Sequence, residues 1–225
     1  MTTYRNLVFA NDHYYHVFNR GVERRSIFTN KREYDRAMQT LRFYRFADPQ
    51  FRLSKYLSLP HEKRISFMTQ LEERNNTLID IVCFSFMPNH FHFLLRQKID
   101  HGIKKFISNF SNSYSKYFNT KHKRVGPLLQ GIFKALHVET NEQLLHLSRY
   151  IHLNPVTSSL ITIEEMDTYP YSSFPEYLGI VNNKICAPAI VLSQFSSVND
   201  YKRFVYDHID YAKELETIKH LILDD

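Results

Sequence analysis

The sequence has only two cysteines, Cys83 and Cys186, among its 225 residues, and it has no tryptophan. Two cysteines provide neither a disulfide framework nor a cysteine-based zinc site, so a reducing compartment is expected. No apolar run approaches the roughly 18 residues that predict a membrane-spanning helix. The N-terminal stretch also lacks the pattern of a secretory signal. We therefore expect a cytoplasmic protein with no membrane partner.

The composition fits a folded protein with a basic surface. Hydrophobic residues make up 43% of the chain and aromatic residues 15%, which argues against disorder and allows a substantial core. Lysine and arginine number 29 against 23 acidic residues, for a net charge of +6. Such a balance favours a polyanionic partner such as nucleic acid, although basic surfaces without any ligand are also common.

Hydrophobic periodicity predicts alternating strands and helices. Aromatic and β-branched residues in HYYHVFNRG predict a first strand, and a helical pattern capped by Asn30 follows it. TLIDIVCFSFM and HFHFLLR predict two strands joined by a tight turn at Pro88-Asn89. A long helix beginning at GIKK, a strand IFKALHV and a helix from Asn141 to Leu153 complete the pattern, with Pro155 expected to stop that helix.

This order of elements predicts an α+β fold. Strand, helix, strand, strand, helix, strand and helix suggest a ferredoxin-like antiparallel sheet with helices packed on one face. We expect one domain over residues 1–179, with residues 48–76 as an insertion that contains a short helix. Residues 180–225 are expected to form a partly helical C-terminal extension, with a helix from Tyr201 onward.

The stretch MPNHFHFLLR places two histidines one residue apart in an otherwise apolar strand. Side chains alternate across a strand, so His90 and His92 project from one face while Phe91 and Phe93 project from the other. A single histidine in such a strand is usually a core or surface residue, but a pair on one face can bind a metal. Two imidazoles do not complete a site, so another segment must supply a further ligand.

The helix LLHLSRYIHLNP offers that ligand. His146, Tyr150 and Asn154 are four residues apart and share one helix face. Tyr150 is a candidate nucleophile and Asn154 a candidate metal ligand through its amide oxygen. A residue before proline is disfavoured in a helix, so Asn154 is expected at a frayed end, and an Asn-Pro helix stop often has no further role.

Two other tyrosines compete for the role of nucleophile. Tyr114 and Tyr117 fall on the apolar face of the long helix that begins at GIKK. Tyrosine in that position is more typical of core packing or of a platform for base stacking. Tyr150 is therefore the preferred candidate.

Four ordered segments, YHVFNRGVERRSIF, MPNHFHFLL, GPLLQGIFKALHV and RYIHLNPV, resemble those of REP-associated tyrosine transposases. These are bacterial relatives of the single-tyrosine insertion-sequence transposases, and the resemblance covers roughly residues 12–174. It implies that His90 and His92 are the metal-binding pair of the family's His-hydrophobe-His motif. It also implies that Tyr150 is the nucleophile and that Asn154 completes the metal shell.

The resemblance implies metal-dependent nicking and strand transfer on single-stranded DNA that carries hairpins, through a covalent 5′-phosphotyrosine intermediate. Two imidazoles, an amide oxygen and waters suit manganese or magnesium better than structural zinc. The family's frequent Trp and Arg near LLQGIFK are replaced by Leu129 and Ile132, so a stacking or phosphate contact there should differ. From the resemblance and the basic clusters, the residues expected to contact DNA are Asn19, Arg20, Arg24, Lys121, Arg124, Gln130 and Lys134.

Two other functions stay open. A non-catalytic DNA-binding protein derived from such an enzyme would keep the basic surface, and a metal-dependent nuclease would use metal-bound water in place of Tyr150. The sequence leaves the choice between monomer and homodimer open as well.

Overall fold

The structure, a computed structural model, describes residues 7–208, and within them four strands form one antiparallel sheet. The strands are β1 (Tyr14–Arg20), β2 (Ile79–Met87), β3 (His90–Gln97) and β4 (Lys134–Val138). Their order is β2-β3-β1-β4, with β1 paired to both β3 and β4. Residues Pro88 and Asn89 form the tight turn between β2 and β3. The predicted α+β class and ferredoxin-like sheet are confirmed.

The helices of the described part of the chain are α1 (Lys31–Tyr44), α2 (Leu53–Leu57), α3 (His61–Arg74), α4 (Gly102–Lys121), α5 (Asn141–Thr157), α6 (Phe174–Tyr177), α7 (Ala189–Leu192) and α8 (Val198–Tyr206). Short 3₁₀ turns follow β1 at Val22–Arg24 and precede α6 at Met166–Thr168. Between residues 7 and 208, no helix combines the length and apolar character that crossing a membrane requires.

One face of the sheet is covered by α1 and α4. Alternation along the strands points Val17 and Phe93 to this face, where both are completely buried. Helix α4 contributes Phe106 and Phe110 to the same cluster, and the two phenyl rings of Phe93 and Phe110 meet edge to face at 5.3 Å. This layer is the main hydrophobic core.

The opposite face is covered by α5 and by the helices that follow it. Leu94 of β3, Ile151 of α5 and Tyr201 of α8 belong to one buried cluster on this side. Helices therefore cover both faces of the sheet, and the expectation of helices on one face only is wrong. Periodicity identifies the apolar side of each helix but does not say which face of the sheet that side will cover.

Helix α5 begins as predicted but continues beyond the expected stop. The Thr140 hydroxyl accepts a hydrogen bond from the Gln143 N–H at 3.1 Å, as expected of a helix cap. Pro155 lies inside the helix, which ends at Thr157. Proline removes one helical hydrogen bond, but the residues around it are buried, and their packing against the sheet compensates for that loss.

The segment 48–76 forms two helices, α2 and α3, where one short helix was expected. Together with the end of α1 they enclose a small separate cluster of buried residues. Its members are Phe43, Phe46, Leu53, Met68 and Leu71. The segment is thus a satellite of the main core and packs beside α1.

Residues 180–208 pack against the main fold through α7 and α8. Tyr201 and Val205 are completely buried in the cluster that also contains Ile151. The expected C-terminal helix is present as α8, which starts at Val198, three residues before Tyr201. The remainder of that prediction lies outside the described residues.

Candidate active site

The histidine pair lies at the start of β3, on the face of the sheet that α5 covers. The ring centroids of His90 and His92 are 5.0 Å apart, and the ring planes are nearly perpendicular. On the neighbouring strand Arg20 lies opposite His90 and Phe18 lies opposite His92. The Phe18 ring stacks on His92 with a centroid distance of 5.6 Å. Strand alternation therefore produces the predicted same-face pair.

Each histidine of the pair has a hydrogen-bond partner at Nδ1. The Asn89 Oδ1 atom lies 2.5 Å from His90 Nδ1, and the Asn89 amide nitrogen donates to the Arg24 carbonyl, which fixes the orientation of that amide. His92 Nδ1 lies 2.8 Å from Nε2 of the buried His16. Because Asn89 Oδ1 can only accept, His90 carries its proton on Nδ1 and its lone pair on Nε2, the form that binds a metal. His92 has the same form when its Nδ1 donates to His16 Nε2.

The environment keeps His16 and His90 neutral at physiological pH. Burial lowers the pKa of His16 to about 4. Burial, together with the nearby positive charge of Arg20, lowers the pKa of His90 to about 4. A neutral imidazole is the form that binds metals, so His90 would keep its capacity to bind a metal to a lower pH than an unshifted histidine.

Helix α5 brings Tyr150 against the histidines. The Tyr150 ring is half-buried and meets the His92 ring edge to face, with a centroid distance of 5.6 Å. Its centroid is 6.2 Å from that of His16. The predicted nucleophile and the predicted metal-binding pair therefore share one site.

The competing tyrosines lie elsewhere. Tyr114 is 1% exposed in the core on the other face of the sheet, where its hydroxyl donates to the Ile27 carbonyl. Burial raises the pKa of Tyr114 far above its ordinary value, which opposes formation of a nucleophilic phenolate. Tyr117 lies one turn further along α4, beneath the Arg36 guanidinium. Neither tyrosine adjoins the histidine pair.

Asn154 lies one helical turn beyond Tyr150. Its side-chain amide nitrogen donates to the Tyr150 carbonyl at 3.2 Å, so the amide oxygen is the end suited to a cation. The residue is 2% exposed and lies within α5, not at a frayed end as the sequence suggested. His146, the third member of the predicted row, is exposed and contacts Arg149.

The donor set fits a divalent ion that keeps part of its shell open. Within residues 7–208 no group of three or more histidine, cysteine, aspartate or glutamate side chains could hold a metal. A site at His90 and His92 would therefore need an amide oxygen, water or substrate oxygen beside the imidazoles. Such a mixed nitrogen and oxygen set is compatible with manganese or magnesium.

Four of the predicted DNA-contacting residues lie near the histidines. Arg20 lies opposite His90, and the exposed Lys134 on β4 lies opposite Phe18. The exposed Gln130 donates its backbone N–H to the Arg20 carbonyl at 2.8 Å. Arg24 lies in the turn after β1, where its carbonyl receives the Asn89 amide.

The other three predicted DNA-contacting residues lie away from the histidines. Asn19 points to the opposite face of the sheet, where it is 7% exposed and lines a cavity of about 410 Å³. Lys121, at the end of α4, forms an ion pair of 2.7 Å with the buried Glu33. Arg124 donates to the Asn119 side chain. The structure thus separates these residues from Tyr150.

Two histidines of the site region were not identified from the sequence. His16 lies two residues before Phe18 in β1, so alternation along that strand places it on the active face. Its contact with His92 depends on the pairing of β1 with β3, two segments that are far apart in the sequence. His152 lies on α5 itself and is completely buried, with Tyr201 Oη and Ser173 Oγ each 2.8 Å from a ring nitrogen.

A tyrosine beside paired histidines on a ferredoxin-like sheet is a candidate nucleophile next to a candidate metal site. Residues 54–154 match the family model described as IS200-like transposase, and all four predicted catalytic and metal-binding residues lie in that segment. The match spans 101 of the 225 residues, so it shows that this segment is similar to that family.

The other comparisons concern individual proteins. A solved structure of a REP-associated tyrosine transposase bound to a REP hairpin is similar at 12% sequence identity, with a TM-score of 0.48. The similarity covers 85% of this chain and 90% of that one. The comparison with curated proteins gave no match.

Proposed function

We propose that this protein is a transposase that nicks and rejoins single-stranded DNA through a covalent 5′-phosphotyrosine link formed by Tyr150. The observation that carries this proposal is the edge-to-face contact of the Tyr150 and His92 rings at 5.6 Å. It combines a nucleophile with a potential cation site on one face of the sheet. An unperturbed tyrosine has a pKa of about 10, so its reaction at neutral pH needs nearby positive charge.

The proposed reaction exchanges one ester bond for another. Tyr150 Oη forms a bond to phosphorus, the bond from phosphorus to the 3′-oxygen breaks, and the phenolic proton is released. The departing oxygen takes up a proton and becomes a 3′-hydroxyl. Because the phosphotyrosine retains the energy of the ester, the 3′-hydroxyl of a second strand can reverse the step and join the ends.

His90, His92 and Asn154 are the proposed ligands of a magnesium or manganese ion. When bound, the ion would neutralise a non-bridging phosphate oxygen and help to align the scissile bond. Asn89 accepts from His90 Nδ1, so that His90 Nε2 carries the lone pair for the metal, and His16 does the same for His92 when His92 Nδ1 is the donor. Arg20, opposite His90, adds a fixed positive charge for the DNA backbone.

The proposed substrate is single-stranded DNA with adjacent hairpins. The proposal follows from the four sequence segments that resemble REP-associated enzymes and from the net charge of +6. Arg20, Arg24, Gln130 and Lys134 would contact the strand near Tyr150. Asn19, Lys121 and Arg124 would contact DNA only outside this site.

The proposal is tested with single-stranded oligonucleotides from the DNA that flanks the gene, hairpins included, labelled at either end and mixed with protein and manganese. We expect label on the 5′-phosphate side of the nick to remain with the protein in a denaturing gel. Tyr150→Phe, His90→Ala and chelator should each abolish this adduct. Tyr56→Phe, which removes a half-buried hydroxyl far from the site, serves as the matched control.

Two outcomes would contradict the proposal. DNA cleavage without an adduct that persists in Tyr150→Phe would indicate a metal-dependent nuclease. DNA binding without cleavage, across several flanking sequences, would indicate a DNA-binding protein that has lost catalysis.

A further inference from the structure

A second basic surface lies on the outer side of α1 and α4, far from Tyr150. It is a groove of about 730 Å³ between these two helices and the start of the 48–76 segment. The lining residues that carry the argument are Arg36 and Tyr44 of α1, Phe51 and Arg52 of the segment, and Lys116 and Tyr117 of α4. We call it the α1–α4 groove.

The α1–α4 groove carries positive charge without a matching negative charge. Four basic residues line it and no acidic residue does. Lys121 is neutralised by Glu33. Within residues 7–208, no ion pair is formed by Arg36, Arg52 or Lys116. Three cations in one groove create a site for an anion with several charged groups.

Arg36 is the best-defined of these cations. Its guanidinium lies 4.8 Å from the centre of the Tyr117 ring, which holds it in place by a cation–π contact. Its Nε atom is buried and has no hydrogen-bond partner among the described residues. Because that Nε atom is inaccessible to solvent, a phosphate bound in the groove would contact the other nitrogen atoms of the guanidinium.

Aromatic and amide side chains accompany the charges. Tyr44, Phe51 and Tyr117 present ring surface to the groove, and the side chains of Asn109 and Asn112 supply hydrogen-bonding groups. Cations interleaved with aromatic rings are typical of surfaces that follow a nucleic-acid backbone. A small anion would use the charge but not the rings.

The α1–α4 groove is separate from the proposed active site. Helices α1 and α4 cover one face of the sheet, whereas Tyr150 and the histidine pair lie on the other. DNA bound in the groove therefore cannot occupy the site of Tyr150 through the same nucleotides. A strand or stem that reaches both must pass around an edge of the sheet.

We propose that the α1–α4 groove binds the phosphodiester backbone of DNA as an anchor distinct from the reaction site. The ligand is either the single-stranded flank or the stem of a hairpin, which present the same phosphate chemistry. Phe51 and Arg52 come from the 48–76 segment, so this segment gains a role as one wall of a DNA site. The inference goes beyond the proposed nicking reaction and does not require it.

The test compares two charge-matched triple variants by fluorescence anisotropy on a Tyr150→Phe background, so that no DNA is consumed. Arg36→Gln, Arg52→Gln and Lys116→Gln remove the groove cations. Lys63→Gln, Arg74→Gln and Lys104→Gln remove three exposed cations elsewhere. Each variant is titrated with an unstructured oligonucleotide and with a blunt hairpin, between 50 and 200 mM salt, values chosen because phosphate contacts dominate salt dependence there.

Three lost phosphate contacts should lower the slope of log affinity against log salt by about 2 on a single strand and by nearly 3 on a duplex. Binding of the preferred DNA at 0.1 M salt should weaken at least about tenfold. The control triple variant should retain the wild-type slope. A loss confined to the oligonucleotide assigns the groove to the flank, and a loss confined to the hairpin assigns it to the stem.

Equal slopes for the groove and control triples on both DNAs would overturn the proposal. Because Arg36 is half-buried, the double variant Arg52→Gln and Lys116→Gln, at two exposed positions, repeats the test without touching the interior. It should lose about two thirds of the effect. Absence of a tyrosine adduct in the nicking assay would leave these binding slopes unaffected, so the two proposals fail independently.

Discussion

Glu33 provides a quantitative test of how the end of α4 is attached to α1. Its side chain is fully buried and accepts hydrogen bonds from Lys121 Nζ at 2.7 Å, from His122 Nε2 at 2.6 Å and from the N–H and hydroxyl of Thr29. We predict that Glu33→Gln, which keeps the shape and removes the charge, destabilises the protein substantially at neutral pH. Lys121→Met should destabilise it as well, since it leaves the carboxylate without its main cation.

The magnitude follows from the pKa of Glu33. Burial alone would raise this pKa, but the hydrogen bonds from Lys121, Thr29 and His122 outweigh burial and lower it from 4.5 to about 2. A difference of about 2.5 pKa units corresponds to about 3 kcal/mol. Because the folded-state pKa is depressed, this stabilisation is present above pH 4.5 and is lost as the pH falls toward 2.

The assay is urea denaturation of wild type and Glu33→Gln at pH 7 and at pH 3. The difference in the free energy of unfolding should be about 3 kcal/mol at pH 7 and about half of that at pH 3. Glu72→Gln, which removes a partly exposed partner of Arg42, should cost about 1 kcal/mol or less. A Glu33→Gln variant within 1 kcal/mol of wild type at pH 7 would refute the reasoning and return Lys121 to the candidates for direct DNA contact.

Three further predictions concern the histidines. His16→Phe removes the partner of His92 Nδ1 and should weaken manganese binding about 10- to 100-fold by calorimetry, whereas the exposed His61→Asn should not change it. Because the pKa of His90 is about 4, manganese affinity should stay nearly constant from pH 7 to about pH 5 and fall near pH 4; a midpoint near 6.5 would contradict this. His152→Phe leaves the Tyr201 and Ser173 hydroxyls without their buried partner and should lower the free energy of unfolding by about 1–3 kcal/mol; a change below 0.5 kcal/mol, on the order of measurement error, would show that the two bonds are dispensable.

Local sequence patterns were sufficient for the sheet and for the histidine pair. Alternation along β3 predicts both the burial of Phe93 and the common face of His90 and His92. Side chains in a strand point to alternate faces wherever no bulge interrupts the strand. The spacing of four between Tyr150 and Asn154 likewise predicts their common side of α5. These features depend only on neighbours within one element.

Features that depend on contacts between elements were not predictable in the same way. The propensity of proline to end a helix was overridden at Pro155 by burial of the surrounding residues, which the sequence does not display. His16 gains its contact with His92 only when β1 pairs with β3 in the observed register. The placement of α5 on the face opposite α4 likewise follows from tertiary packing.

The contacts between α5 and α8 affect whether two copies of the protein could exchange the helix that carries Tyr150. Tyr201 Oη lies 3.3 Å from Ser148 Oγ and also contacts His152, while the Arg149 guanidinium lies over the Phe204 ring. Tyr150 thus lies on a helix whose other side is packed against α8, and its ring contacts His92 of the same chain. If α5 were exchanged between two copies of the protein, α8 would have to move with it, or these buried polar groups would be exposed to water. These contacts favour an active site in which Tyr150 and the histidines come from the same polypeptide.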